Sequence, residues 1–283
     1  ELIDAIVYVL NPEKCDIPYE LPQDPGCLFN SFSLADKAVS NQISEAFDYT
    51  WEKIRASETE EERQNAIKEF GCSPVEYLAK LGCLNERTVA VHCVALSDHD
   101  IELLAESGAS VVHCPVSNMR LGCGASPVVK LLKAGINVAL GTDGAASACS
   151  LSMFEQMRTA GLIAKGFSQD PTELTVNQII RMATINGANA LKLDREVGSL
   201  AVGKFADLAV IDMSQLVTMP VLDVLSNVIY AVEAQCIHQV WASGCLVANI
   251  QQEKLLRPDR GKLLTKSNIM SWQNRVCEIL RDD

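Results

Sequence analysis

Three residues in this sequence stand at equivalent places. His92 follows the apolar run Thr88-Val-Ala-Val91, His113 follows Ala109-Ser-Val-Val112, and Asp143 follows Ile136-Asn-Val-Ala-Leu140 with Gly141-Thr142 between. Imidazole and carboxylate groups can hold a cation or move protons. In parallel α/β sheets and barrels such groups gather at the carboxyl ends of strands. The plainer alternative is a satisfied polar residue at each strand end, and it is stronger for His113 alone than for the set. Asp143 lies in Leu140-Gly-Thr-Asp-Gly-Ala-Ala-Ser147, where small residues would let a ligand or ion approach the backbone closely. It would also serve as a helix N-cap ahead of Ala145. Glu58 belongs to the acidic run Ser57-Glu-Thr-Glu-Glu-Glu-Arg63; on its own it reads as part of a solvated face. His99 is assigned no role, and His238 reads as structural.

The elements that would position these groups are regular from residue 87 onward. Short β-rich runs end at His92, His113 and Asp143. Between and after them come helical patterns at Ser97–Gly108, Pro127–Ala134 and Leu151–Lys165. Ser97 is a candidate N-cap, with Asp100 at the capping-box position. Strand and helix alternating at this spacing predict right-handed βαβ units and a parallel sheet. Upstream, residues 57–71 predict an amphipathic helix closed by Gly71, and Pro74–Leu81 a shorter one. Thr175–Leu191 reads as one or two helices. After Gly198 the pattern becomes β-like: strands are expected near 203–212, at 228–232 and over 237–247, with a turn at Ser243-Gly244. A closing helix is expected at 262–281. Residues 3–10 fit either a strand or a short buried helix, and 34–54 have helical spacing.

With 283 residues, 48% of them hydrophobic and 21% charged, the composition is that of a globular chain. The net charge of −12 repels phosphate backbones and argues against a nucleic-acid partner. No stretch approaches the roughly 18–20 uncharged apolar residues of a membrane helix, so no membrane partner is expected. The eleven cysteines are odd in number, irregularly spaced and without a Cys-x-x-Cys. Buried free thiols in a cytoplasmic protein are the expectation. The sequence opens at Glu1, which suggests a fragment or a processed chain.

Five motifs occur in order over about two-thirds of the chain. They are Ser57-Glu-Thr59, Val91-His-Cys-Val94, Val112-His-Cys-Pro-Val-Ser-Asn-Met-Arg-Leu-Gly-Cys-Gly124, Ala139-Leu-Gly-Thr-Asp-Gly-Ala-Ala-Ser147 and Gly198-Ser-Leu-Ala-Val-Gly-Lys-Phe-Ala-Asp-Leu208. In these the chain resembles the metal-dependent amidohydrolase superfamily, in the branch of S-adenosylhomocysteine/methylthioadenosine deaminases, with guanine deaminases and triazine chlorohydrolases nearby. The resemblance implies a (β/α)8 TIM-barrel fold flanked by a small β-sandwich unit. It implies hydrolytic deamination of a purine nucleoside-like substrate such as S-adenosylhomocysteine, methylthioadenosine or adenosine. It further implies a zinc or iron that activates a water molecule. By position, Asp143 matches a metal-ligating aspartate that accepts the water's proton. His92 matches a histidine that polarises the hydroxide or shuttles protons. Glu58 matches a glutamate that touches the substrate and exchanges a proton with a ring nitrogen, while His113 and Asn118 match substrate-pocket residues.

The sequence also departs from that pattern. The family's His-x-His metal pair has no counterpart among His92, His99, His113 and His238, and Arg55 stands where a third ligand histidine is expected. A guanidinium has no lone pair to offer a cation. A barrel takes about 250 residues at roughly 30 per βα unit, yet only 57 residues precede Glu58. The barrel is therefore expected to be incomplete on its N-terminal side. The resulting division is an N-terminal segment 1–50, a barrel portion 51–195, a small β unit 196–250 and a C-terminal helix 251–283. A degenerate or truncated non-catalytic homologue without the metal site is the alternative to an active aminohydrolase. Association of identical copies, with a site built between them, is a further option.

Overall fold

The computed structural model describes residues 58–249 together with 254 and 255. The expectations for residues 1–50, for helical spacing over 34–54 and for the closing helix at 262–281 fall outside the described residues, as does Arg55.

Helix α1 spans Glu60–Phe70 and is closed at both ends by its own sequence. Thr59 and Glu62 form a reciprocal capping box, and Gly71 takes the left-handed conformation at the other end. Helix α2, Pro74–Lys80, starts from the Ser73 cap. The alternation then begins. Strand β1 is Val89–Val91 and leads to helix α3 at Asp98–Ser107; strand β2 is Ser110–His113. Helices α4, Pro115–Arg120, and α5, Val128–Lys133, precede strand β3 at Asn137–Leu140. A short helix α6, Ala145–Ala148, and the long helix α7, Met153–Ser168, follow. Helices α8, Val176–Ala183, and α9, Ile185–Ala190, complete this part.

The three strands form one parallel sheet in the order β1-β2-β3, paired in register from Val89 with Ser110 to His113 with Leu140. The central strand is mostly buried, as parallel strands covered on both faces are, with Val111 and Val112 between the polar Ser110 and His113. Val111, Val138 and Leu140 pack against Leu104, Leu131, Met157, Ile179 and Met182 in a single core. Gly141 is required at the end of β3: a Cβ there would lie 2.7 Å from Val112 Cγ1 and 3.2 Å from Cys114 Sγ. Among the described residues this sheet has three strands and does not close into a barrel.

After Gly198 the chain forms an antiparallel sheet, β4-β5-β6-β7, from Leu208–Ile211, Ile237–Ala242, Cys245–Asn249 and Lys254–Leu255. The turn at Ser243-Gly244 is present, Ser243 having φ +54° and Gly244 φ +76°. Among the described residues the β unit is this one sheet, so a two-layer sandwich is not seen. One strand expectation is corrected. Residues 228–232 do not extend as a strand, because Asp223 caps a helix α10 over Val224–Tyr230. The run's apolar residues fit a buried helix turn equally well, and Val228 and Ile229 enter the main core as one.

Two side-chain networks hold the helices that flank the site. Asp100, 1% exposed, accepts from Ser97 Oγ at 2.6 Å and from the Ser97 amide at 2.8 Å. It also accepts from Ser73 Oγ, and Arg63 Nε approaches it at 3.8 Å. One buried carboxylate thereby joins α1, α2 and α3. On the far edge of the sheet, Asn186 Nδ2 donates to Val138 O and Asn137 Nδ2 to Asn186 O, each at 2.9 Å, tying α9 to β3.

Candidate active site

The carboxyl ends of the three strands deliver His92, His113 and the loop bearing Asp143 to one side of the sheet. His92 directly follows β1 and leaves the strand in an unusual conformation: His92 has φ +72° and Cys93 φ +49°. Asp143 likewise has φ +58°. Left-handed backbone at a residue with a side chain costs of order 1–3 kcal/mol and persists only where the surroundings hold it. Two of the three residues singled out from the sequence sit in such positions.

Glu58 lies just before the α1 cap and reaches across to the sheet. Its Oε1 is 2.8 Å from His92 Nε2, with Glu58 17% and His92 2% exposed. Within an acidic run the solvated face is the plainer expectation for Glu58, yet this acid points inward while Glu60 and Glu61 open helix α1 beside it. The other nitrogen of the His92 ring meets Asn118, whose Oδ1 is 2.8 Å from Nδ1. Cys123 Sγ completes the surroundings of Glu58, 3.6 Å from Oε2.

Asp143 is half-buried and has both carboxylate oxygens engaged. Oδ2 accepts from Ser117 Oγ at 2.6 Å and Oδ1 from the Gly144 amide at 2.7 Å. The expected N-cap role is not taken by Asp143. Gly144 occupies the N-cap of α6, and no side chain caps that helix. Ser117 and Asn118 are neighbours on α4, so a single short helix grips both Asp143 and His92. The same helix holds the loop beyond Asp143, since Arg120 Nη1 donates to Ala146 O at 2.8 Å and to Ser147 O at 2.6 Å.

The structure thus links Glu58, His92 and Asn118 in one hydrogen-bonded chain and holds Asp143 through Ser117, the residue next to Asn118. His113 is adjacent but separate: it is 2% exposed and its Nδ1 has no hydrogen-bond partner among the described residues. Burial, reinforced by the nearby His92, pushes its pKa down from 6.5 to about 3, so His113 is a neutral ring. Burial likewise raises the Cys93 thiol to about 12, and the Cys123 thiol to about 11 with the Glu58 charge adding to it. Cys114 is raised by burial and by Asp143. These thiols stay protonated in this environment. His99 is exposed on α3 beside Glu102, away from this network.

Residues 32–247 match the model of the amidohydrolase family. The chain belongs to the amidohydrolase family. It is 44% identical over 191 residues to a 5-methylthioadenosine/S-adenosylhomocysteine deaminase of Moorella thermoacetica, covering 68% of this chain and 45% of that protein. Over the same length it is 44% identical to a 5'-deoxyadenosine deaminase of Methanothermobacter thermautotrophicus, covering 68% of this chain and 44% of that one. Among solved structures it is similar to an adenosine deaminase from Xanthomonas campestris with bound zinc. The TM-score is 0.71 at 39% identity, over 78% of this chain and 50% of the other. The chain spans about half the length of the curated relatives it matches.

Of the positions that the resemblance assigns to metal, the described residues of this amidohydrolase chain include Asp143. Among the described residues no three His, Cys, Asp or Glu side chains cluster as metal ligands. Each Asp143 oxygen accepts one protein hydrogen bond and keeps a further lone pair, while both His92 ring nitrogens face protein partners. Catalytic zinc takes about three protein ligands. Sequence reasoning missed Ser117 and Cys123 as members of the network. The motif that contains them was visible, but nothing in it says which neighbour reaches which strand end.

Proposed function

We propose that this chain carries the proton-handling part of an aminohydrolase site for purine nucleosides modified at the 5' position, such as 5'-deoxyadenosine, methylthioadenosine and S-adenosylhomocysteine. The reaction replaces a ring amino group by oxygen from water and releases ammonia. The observation that carries the reading is the 2.8 Å pairing of Glu58 with His92, on the same side of the sheet as Asp143. A carboxyl half-buried against an imidazole can give a proton to a ring nitrogen and recover it. In this reading Glu58 is the group that meets the substrate, His92 is its proton partner, and the Asp143 carboxylate takes up the proton of the attacking water. His113 and Asn118 form the inner wall behind them. The three-strand sheet is read as an arc of a (β/α)8 barrel spanning 51–195, with 196–250 as the flanking β unit, in a cytoplasmic enzyme.

Zinc is the metal expected by kinship, with iron as the alternative. Among the described residues Asp143 is the position that would hold it, and no three His, Cys, Asp or Glu side chains cluster there. That shortage favours a second reading, a homologue that keeps the pocket but not the cation. Ammonia release is the deciding measurement, made on the purified chain with each of the three nucleosides, with and without added zinc, alongside the metal content. Turnover establishes the aminohydrolase. Nucleoside binding without ammonia, at zero zinc, establishes the second reading.

A further inference from the structure

A carbonyl oxygen only accepts hydrogen bonds, so a ring nitrogen bonded to it must carry the hydrogen. Asn118 Oδ1 faces His92 Nδ1 at 2.8 Å, and both residues are sealed from solvent, Asn118 at 0% and His92 at 2% exposure. Nδ1 is then the protonated nitrogen of the neutral ring, and Nε2 is left with its lone pair. That lone pair faces Glu58 Oε1 at 2.8 Å. A bare carboxylate oxygen against a bare lone pair is repulsive, so one proton lies between them, on oxygen or on nitrogen. We infer that Asn118 is a positioning residue: it locks His92 in the Nδ1–H form and thereby makes Glu58 and His92 a couple that shares a single proton.

The side chain is well placed for such a lock because its backbone is fixed on both sides. The Asn118 amide donates to Cys114 O at 3.0 Å, and its carbonyl accepts from the Cys123 amide at 2.8 Å. Its neighbours Ser117 and Arg120 hold the Asp143 loop. The couple balances without an outside reactant: the proton leaves Oε1 as it arrives on Nε2, and the reverse step restores it. A reversed amide would instead donate to Nδ1 and put the ring hydrogen on Nε2. The side-chain nitrogen of Asn118 has no partner among the described residues in the orientation seen.

The inference deepens the proton-handling role proposed above, but its test needs no turnover. Ring nitrogen resonances of His92 are recorded on the full chain labelled with nitrogen-15, and assigned by their loss in His92→Gln. The expected result is a hydrogen on Nδ1 at every pH where the protein is folded, with Nε2 either bare or sharing the proton. Asn118→Asp, whose oxygens also only accept, keeps that signature. Asn118→Leu removes the acceptor and moves the neutral ring to the Nε2–H form. An Nδ1 without hydrogen in the neutral wild-type ring would overturn the inference, as would an unchanged tautomer in a folded Asn118→Leu. If the Leu variant does not fold, the wild type and Asn118→Asp decide the matter. The Nδ1–H form in a protein that releases no ammonia would uphold the lock and defeat the deaminase reading.

Discussion

Replacing His113 by leucine is expected to flatten the acid dependence of stability. His113 is buried, and burial together with the nearby His92 lowers its pKa from 6.5 to about 3. The folded state therefore refuses a proton that the unfolded chain accepts. Above about pH 6.5 both states are neutral at this site and it adds no pH dependence. As pH falls below that value the unfolded state gains protons, and stability is lost progressively until the folded ring titrates near pH 3. At about 1.4 kcal/mol per pH unit, the fall from pH 7 to pH 5 removes about 2 kcal/mol through this one ring. With a urea slope of about 2 kcal/mol/M, that loss lowers the wild-type midpoint by about 1 M. Urea titrations at pH 7, 6 and 5 on wild type and His113→Leu isolate the term, because every other group is common to both proteins. The variant should lose about 2 kcal/mol less than wild type over that interval. Equal losses in the two proteins would show that His113 takes up a proton in the folded state, and the argument from its burial would fail.

Glu58→Gln keeps the size of the side chain and removes the exchangeable carboxyl proton; ammonia release should fall by about 10²–10⁴-fold with the circular dichroism spectrum unchanged. The purified chain should hold well under one zinc per molecule by elemental analysis. Arg55→His should not raise it, since the His-x-His pair is still missing; one zinc per chain in either protein would refute this reading of the donors. Gly161→Ala would place a Cβ 2.7 Å from Tyr230 Oη and 2.9 Å from Ile179 Cδ1. Overpacking of that kind costs about 1–3 kcal/mol, which thermal unfolding would register as a lower midpoint.

The parallel sheet was legible because its signals are local and agree with one another. Apolar runs of four or five residues alternate with helical patterns, and Ser97 with Asp100 forms the box that the spacing predicts. The helix at Val224–Tyr230 was not legible as a helix. Its apolar residues form a short run that suits either state, and the deciding features are the Asp223 cap and the burial of Val228 and Ile229 in the core. Helix α4 has no side-chain cap to announce it; it starts at Cys114 with Pro115 as its first residue. Its six residues are too few for periodicity to register.

The site was legible only in part for a related reason. Strand ends point to His92 and Asp143 because position along a strand is a sequence property. The partners that fix their chemistry are set by a helix turn instead. Successive residues on a helix diverge by about 100°, so Ser117 and Asn118 address different strand ends although they are adjacent in the chain. Both strand-end residues also adopt left-handed backbone, which no L-residue favours on its own. The strain persists because each side chain is anchored, Asp143 by Ser117 and His92 by Asn118 and Glu58. Cutting one anchor should therefore release backbone as well as side chain. That is a reason to expect Ser117 and Asn118 to matter for the site's geometry even though neither would be chosen, by residue type alone, as the carrier of a proton.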